Sequence, residues 1–342
     1  MKKLSQDIYR VSLLSSAHPQ FRASSSLHKH LCDVVAEGKN QYGPMSGDPE
    51  LVSQLRKIYS PFFKKELSPE ETAVTCEHRG VFDAFFRAFM EKGDEFVSLG
   101  PCEKFVLEQA AFNHRVIKET KVHLRNGKIE FDFEDLNRQV NDKTRFILVG
   151  APGLLLQSVP DREKLIENLI KLSRDDLAFI FDRRQECLLD PHHSLELPEE
   201  LFKRSISLYS AGPAFSVEDW ALGWVIGSPF LIKHVLIHAL WMRFCPNTPA
   251  MAALARHVAD LGKKEGGIEA HFKSQREIFS ELFDSKVEQL KSKGLQGKLL
   301  NSQLRSIPLF EVAPEQVDLA TELGGIKIDV EEKQVFLFRE DF

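Results

Sequence analysis

Short apolar runs alternate with amphipathic stretches from residue 72 onward. Thr72–Thr75, Glu95–Leu99, Arg145–Val149, Leu177–Phe181, Ile206–Tyr209 and Leu222–Ile226 have the length and apolar character of buried strands. Between them, Val81–Met90, Phe105–Phe112, Phe133–Val140, Asp161–Ser173 and Leu231–Arg243 carry apolar residues at helical spacing. Val116–Ile117 and Val122–Leu124 are shorter extended pieces, and Asn126-Gly127 is a turn signal. This alternation predicts an α/β fold, with a largely parallel sheet and helices on both faces. Parallel sheets carry ligands beyond the carboxyl ends of their strands. The positions of interest are therefore those just after Thr75, Leu99, Val149, Phe181 and Tyr209.

The flanks read differently. Residues 1–30 form an arm, with a short apolar piece at Val11–Leu14 and a serine run at Ser24–Ser26, and a helix follows over Leu27–Glu37. After the turn-rich loop Asn40–Gly47, Asp48-Pro49-Glu50 starts a helix, with an N-cap carboxylate and proline in the first turn. Beyond Gly266-Gly267 come a long amphipathic helix over Ile268–Lys293, a strand over Ile307–Val312, a helix over Glu315–Leu323, and strands over Ile326–Val330 and Gln334–Phe338. The expected division is an arm and part of a small domain over 1–40, a large domain over 41–265, and a small α+β domain over 266–342.

Composition narrows the function classes. The 342 residues are 43% hydrophobic and 28% charged, an ordinary globular balance. A net charge of −5 gives no nucleic-acid footprint, and no apolar run approaches the ~18 residues of a membrane span. The start of the chain has two lysines but only short apolar pieces, so no secretory signal is expected. The cysteines Cys32, Cys76, Cys102, Cys187 and Cys245 are scattered without ligand spacing, which suggests reduced thiols of a cytoplasmic protein and no metal site. His192-His193, after Asp190-Pro191, reads as a surface loop. Phenylalanine is frequent, 26 against 4 tyrosines, and reads as core filling.

The stretch Ser205–Gly227, SISLYSAGPAFSVEDWALGWVIG, sets two apolar runs around a small-residue turn, Ser210-Ala211-Gly212-Pro213-Ala214, which reads as a tight loop. It resembles the cofactor-lysine segment of the class I/II aminotransferases, enzymes of fold type I that use pyridoxal 5′-phosphate (PLP). Ser210, Phe215, Trp220 and Gly223 fall where that motif expects them. Further likeness lies in Asn40–Gly47, in Lys92-Gly93-Asp94-Glu95, and in Phe244-Cys245-Pro246-Asn247-Thr248-Pro249-Ala250 after Gly227-Ser228-Pro229. Together these are similar to the methionine/kynurenine branch, from about Gln41 to Arg276. The resemblance implies PLP as cofactor, a homodimer with sites at the interface, and three cofactor-binding positions. Asp182 matches the aspartate of the pyridinium nitrogen, Ser210 the phosphate serine, and Tyr42 the tyrosine that reaches the partner subunit's phosphate.

Other positions depart from that pattern. Pro213 stands at the lysine position, so no catalytic residue is assigned, and Ala221 stands where a phosphate-binding cation is usual. Glu77-His78-Arg79 replaces the small phosphate loop, Glu103 the stacking aromatic, Leu154 the asparagine that bonds the ring oxygen, and Gln185 a tyrosine. No clear counterpart exists for the substrate arginine, with Arg339 just past the usual strand. The nearest lysines do not substitute: Lys203 precedes its strand, at the wrong end, and Lys233 lies one turn into a helix. A separate reading of the charges lets His78, Arg79, Arg183 and Arg184 converge at the strand ends with Glu77, Glu103 and Asp182, as a site for a small anionic or zwitterionic ligand. Two functions stay open. One is a pseudoenzyme that binds a ligand or partner; the other is an enzyme on this fold, either a PLP-dependent aminotransferase of methionine, aromatic or kynurenine type or a lysine-independent catalyst.

Overall fold

The computed structural model describes residues 22–125, 128–150, 162–188, 195–300, 308–330 and 333–338. Helix α1 (Ser25–Ala36) begins where the Ser24 hydroxyl accepts from Leu27 N at 3.2 Å. Helix α2 (Pro49–Tyr59) is capped by Asp48, which accepts from Glu50 N and Leu51 N at 2.9 and 3.2 Å.

Then strands and helices alternate: β1 (Thr72–Thr75), α3 (Glu77–Ala84), β2 (Glu95–Leu99), α4 (Lys104–Phe112), β3 (Val116–Glu119), the hairpin β4 (Val122–Arg125) and β5 (Lys128–Phe131), and α5 (Phe133–Gln139). Next come β6 (Thr144–Val149), α6 (Arg162–Leu172), β7 (Ala178–Asp182), α7 (Glu199–Phe202), β8 (Ser205–Ser210), α8 (Ala211–Phe215), β9 (Gly223–Gly227), α9 (Pro229–Arg243) and α10 (Thr248–Gly262). Helix α11 (Gly267–Ser292) leads to β10 (Gly297–Leu299), β11 (Leu309–Val312), α12 (Val317–Glu322), β12 (Gly325–Val330) and β13 (Lys333–Phe338).

The large sheet has seven strands in the order β1-β9-β8-β7-β6-β2-β3. Strand β9 runs antiparallel to both neighbours, and the other pairs are parallel. Strands β1, β2, β6, β7 and β8 therefore end on one side. Alternate residues feed two cores, as the pleat requires. Phe179, Phe181, Tyr209, Trp224 and Ile226 join one; Ile180, Ile206, Leu208 and Val225 join the other. The second core holds Phe82, Phe85, Phe86, Phe96 and Phe146, where much of the phenylalanine goes. The C-terminal segment forms a four-stranded antiparallel sheet, β10-β11-β13-β12.

Three local expectations change. The turn after Ser210 is a short helix, with Ser210 as its cap, because Pro213 supplies a helical φ early in the turn and the serine hydroxyl accepts from Gly212 N at 3.2 Å. The helix expected to run on to Met90 loosens into a π-helical turn over Phe85–Phe89, and Arg115 meets the freed carbonyls of Phe86 and Met90 at 2.9 and 2.5 Å. Helix α10 has no counterpart in the expectation. Nine of its residues are buried, among them Ala250, Met251, Ala252, Ala253, Leu254 and Ala255, an unbroken apolar run that obscures the helical spacing of Arg256 and Asp260. Asn126-Gly127 and the arm before residue 22 lie outside the described residues.

Candidate functional site

Loops from four strand ends meet beyond the sheet. After β1 come Glu77 and His78, after β2 Glu103, at the end of β7 Asp182 and just beyond it Arg184, and after β8 Gly212 and Glu218. At the centre is Arg184, buried like its partners. Its Nε and Nη2 donate to Asp182 Oδ1 and Oδ2 at 2.8 and 2.6 Å, a two-point match of guanidinium to carboxylate. Nη2 is also 3.2 Å from Glu103 Oε2. Nη1 lies 3.0 Å from His78 Nε2. Because arginine only donates, that nitrogen accepts, and the histidine proton sits on Nδ1. Nδ1 lies 3.4 Å from Glu77 Oε1 without forming a hydrogen bond.

The charges set one another's protonation. Burial works against the Arg184 charge, but the facing carboxylates of Asp182 and Glu103 outweigh it and hold the guanidinium protonated. Burial, with Arg184 and Arg79 nearby, pushes His78 well below the usual imidazole range, so it is neutral at pH 7. Burial raises the Glu218 carboxyl to about 7, and the Glu77 charge adds to this. Glu77 is itself raised, again chiefly by burial. It also takes a left-handed backbone, φ 62°, which is strained for a residue with a Cβ.

Two glycines make this packing possible. A Cβ on Gly212 would lie 2.4 Å from the Glu218 carboxylate. One on Gly223 would lie 2.6 Å from Tyr209 O and 3.2 Å from Glu77 Cα. Pro213 is buried in α8, whose end is tied to α11: His271 Nε2 donates to Ala214 O at 2.7 Å, and Ser216 Oγ to Gln275 Oε1 at 3.1 Å.

Of the residues expected from sequence, Asp182 and Ser210 stand at the ends of adjacent parallel strands, and Ser210 is occupied as a helix cap. Tyr42 is 77% exposed, with its ring 4.7 Å from that of Phe244, outside the cluster. Of the charges expected to converge, His78 and Arg184 meet Asp182, Glu103 and Glu77, while Arg79 and Arg183 lie apart from them. His78 is neutral. Arg79 is exposed, 5.6 Å from the Phe105 ring. Arg183 faces away from the cluster, because the chain turns after β7, with Glu186 N bonded to Arg183 O at 3.0 Å. It is fully buried, 5.1 Å from the Phe63 ring, bonded to Glu186 Oε1 at 3.2 Å and to Leu195 O at 2.5 Å. Leu154, His192, His193 and Arg339 lie outside the described residues.

Glu218 is the participant that sequence reasoning missed. It lies between the motif positions Phe215 and Trp220, just after a left-handed Ser216, and the return of the chain over Gly212 brings it in. A surface cavity of about 780 Å³ lies elsewhere, between Phe63, Arg162, Leu195 and Phe202. Among the described residues, no group of three or more potential ligands is placed to hold a metal ion.

The residues present do not fit PLP. Both Asp182 oxygens are engaged by Arg184, the Glu103 carboxylate stands where the resemblance places a stacking ring, and Glu218 fills the space over Gly212 beside the Ser210 turn. Adding a phosphate dianion near Glu77 and Glu218 would bring like charges together. Among the described groups around Asp182, none is a lysine amine.

No family model matches the chain. In sequence it is 27% identical over 295 residues to human kynurenine–oxoglutarate transaminase 3, covering 82% of this chain and 65% of that protein. It is 24% identical over 241 residues to the aspartate/prephenate aminotransferase of Thermus thermophilus, covering 70% and 62%. The chain thus spans somewhat under two thirds of the length of these relatives. In structure it is similar to YbdL of Escherichia coli, described as having a methionine aminotransferase function, with a TM-score of 0.79 at 16% identity over 96% of this chain and 89% of that one. The fold is therefore that of the type I aminotransferases, and the α/β expectation holds.

Proposed function

We propose that this chain, a relative of the class I/II aminotransferases with their type I fold, does not carry out Schiff-base transamination and instead serves as a ligand- or partner-binding subunit. One observation carries the reading: Arg184 takes both oxygens of Asp182 inside a buried cluster. Pro213 at the lysine position supports it, because no amine is offered from the turn that carries the cofactor in the resembling family. The homodimer implied by the resemblance is part of the proposal. Exposed Trp241, Met242, Phe230 and Tyr42, at 80, 59, 63 and 77%, supply apolar surface for a second copy. No described helix is long and apolar enough to cross a membrane, and a cytoplasmic setting is proposed from the unpaired cysteines.

A second reading is favoured by the relatives themselves, which are named as transaminases of kynurenine and of aspartate or prephenate. On that reading the chain is a PLP-dependent aminotransferase of an amino acid, with its amine supplied from outside the described cluster. One experiment separates the two: incubation with PLP, visible absorbance, borohydride reduction and mass spectrometry of the peptides. The expected result is no aldimine band and no pyridoxyl adduct at a single lysine. An adduct at one lysine removes the first reading and identifies the amine.

A further inference from the structure

Arg184 lies between two residues that the family resemblance makes walls of the cofactor site, Asp182 and Glu103. It is a planar cation with a donor on every nitrogen, and every nitrogen is used. Nε and Nη2 meet Asp182, Nη2 also meets Glu103, and Nη1 meets His78. The Phe105 ring lies 6.0 Å from Cζ. A surface ion pair does not explain this arrangement, because Arg184, Asp182 and Glu103 are 6, 9 and 8% exposed. Two carboxylates buried this deeply need a fixed cation between them.

We infer that Arg184 is the site's built-in occupant: a planar cation, supplied by the chain itself, that holds Asp182 and Glu103 together and leaves no room for an exogenous ring. The inference rests on the reading above that the site is not used for Schiff-base chemistry. It adds what replaced the cofactor as the organising group. Three features follow from it. Asp182 keeps its place because its partner is still a cation presented in a plane. Glu103 is tolerated where an apolar aromatic would stack, because a guanidinium, unlike a neutral ring surface, accepts a second carboxylate. His78 stays neutral because burial disfavours its charged form, and the Arg184 cation, whose Nη1 lies 3.0 Å from Nε2, opposes its protonation further.

The test removes the cation and offers it back. In the full chain, Arg184→Ala should lower the thermal midpoint by roughly 5–10 °C, since it leaves buried carboxylates without their partner. Guanidinium chloride at ~20 mM, far below denaturing concentration, should recover part of that loss saturably, as a ligand of the folded state does. Sodium chloride at the same concentration should not, and wild type should gain nothing from either salt. Arg184→Lys keeps a charge but loses the planar fork; it should unfold between wild type and Arg184→Ala.

An unchanged midpoint in Arg184→Ala, or a loss that guanidinium does not recover, overturns the inference. If Arg184→Ala does not fold as expressed, its refolding yield is compared with and without ~20 mM guanidinium; recovery of folded protein supports the inference and no recovery overturns it. The PLP experiment fails or succeeds on wild type alone. A lysine adduct there would sink the functional reading without any reference to guanidinium rescue.

Discussion

Arg183 and Arg184 are neighbours in sequence, both buried, and placed in opposite kinds of surroundings. Arg183 lies in an aromatic box beneath the sheet end, near Phe63 and Phe181, with Glu186, Tyr209 and Leu195 O as its polar contacts. Among the described residues, its Nε has no hydrogen-bond partner. Arg184 lies among acids, and each of its nitrogens has a partner. Burying a guanidinium is tolerated in both places, for different reasons. In the box the cation is held by one carboxylate, one carbonyl and the faces of rings. In the cluster it is the group that makes neighbouring carboxylates tolerable. The first arginine is a packing element with a charge; the second is the keystone of a polar site.

That contrast can be broken by measurement. The largest effect is expected at Arg184. Arg184→Met should cost about 3–5 kcal/mol in denaturant-induced unfolding, the range for leaving a buried charge uncompensated. Arg183→Met should cost about 2–3 kcal/mol, because methionine refills much of the aromatic box and the loss is chiefly hydrogen bonds to a charged group. Equal losses at the two positions would abolish the distinction.

The next effect is the pH dependence of the cluster. The Glu218 carboxyl is raised to about 7, first by desolvation and then by Glu77. The folded chain therefore holds a proton that the unfolded chain has released above about 4.5. The resulting stability is fully present below that pH and is lost as pH rises through about 7. Glu218→Gln should remove a decline on the order of 1–2 kcal/mol between pH 5 and 8, read as a flatter denaturation midpoint. His257 has the opposite sign. Burial, with His271 and His30 adding to it, lowers it to about 4, so its contribution is present above about 6.5 and lost as pH falls through about 4. Between pH 4.5 and 6.5 the two oppose each other in wild type, and Glu218→Gln removes one of these contributions while those of His257, His78 and Glu77 remain.

The smallest effect is expected at Tyr42. It is exposed and packs one face on Phe244, so Tyr42→Ala should change monomer stability by no more than about 0.5 kcal/mol. A large loss that depends on protein concentration would instead place Tyr42 in the proposed dimer interface, measured by sedimentation.

Much of the architecture was legible because strand and helix periods are written in local residue order. Thr72–Thr75 and Glu95–Leu99 match β1 and β2 residue for residue. The caps at Asp48 and the breaks at Gly266-Gly267 are local as well. Helix α10 was missed because its first turns, Ala250–Ala255, form an unbroken apolar run with no helical spacing to read. The turn at Pro213 was misread because a proline in the first helical turn and a proline in a tight loop look alike along the chain.

For the site, sequence alone determined the inventory: Asp182 at a strand end, acids where small or aromatic residues are usual in the resembling family, and Pro213 where a lysine is expected. Tertiary structure decided the pairing. That Arg184 faces the acids while Arg183 faces the rings depends on which way the chain turns after Asp182. That Glu218 reaches the cluster depends on the closeness of its return over Gly212. Charge interactions at a few ångströms join residues as far apart as His78 and Arg184. Such distances are set by the sheet that brings strand ends together, and they leave no period or spacing in the sequence to be read.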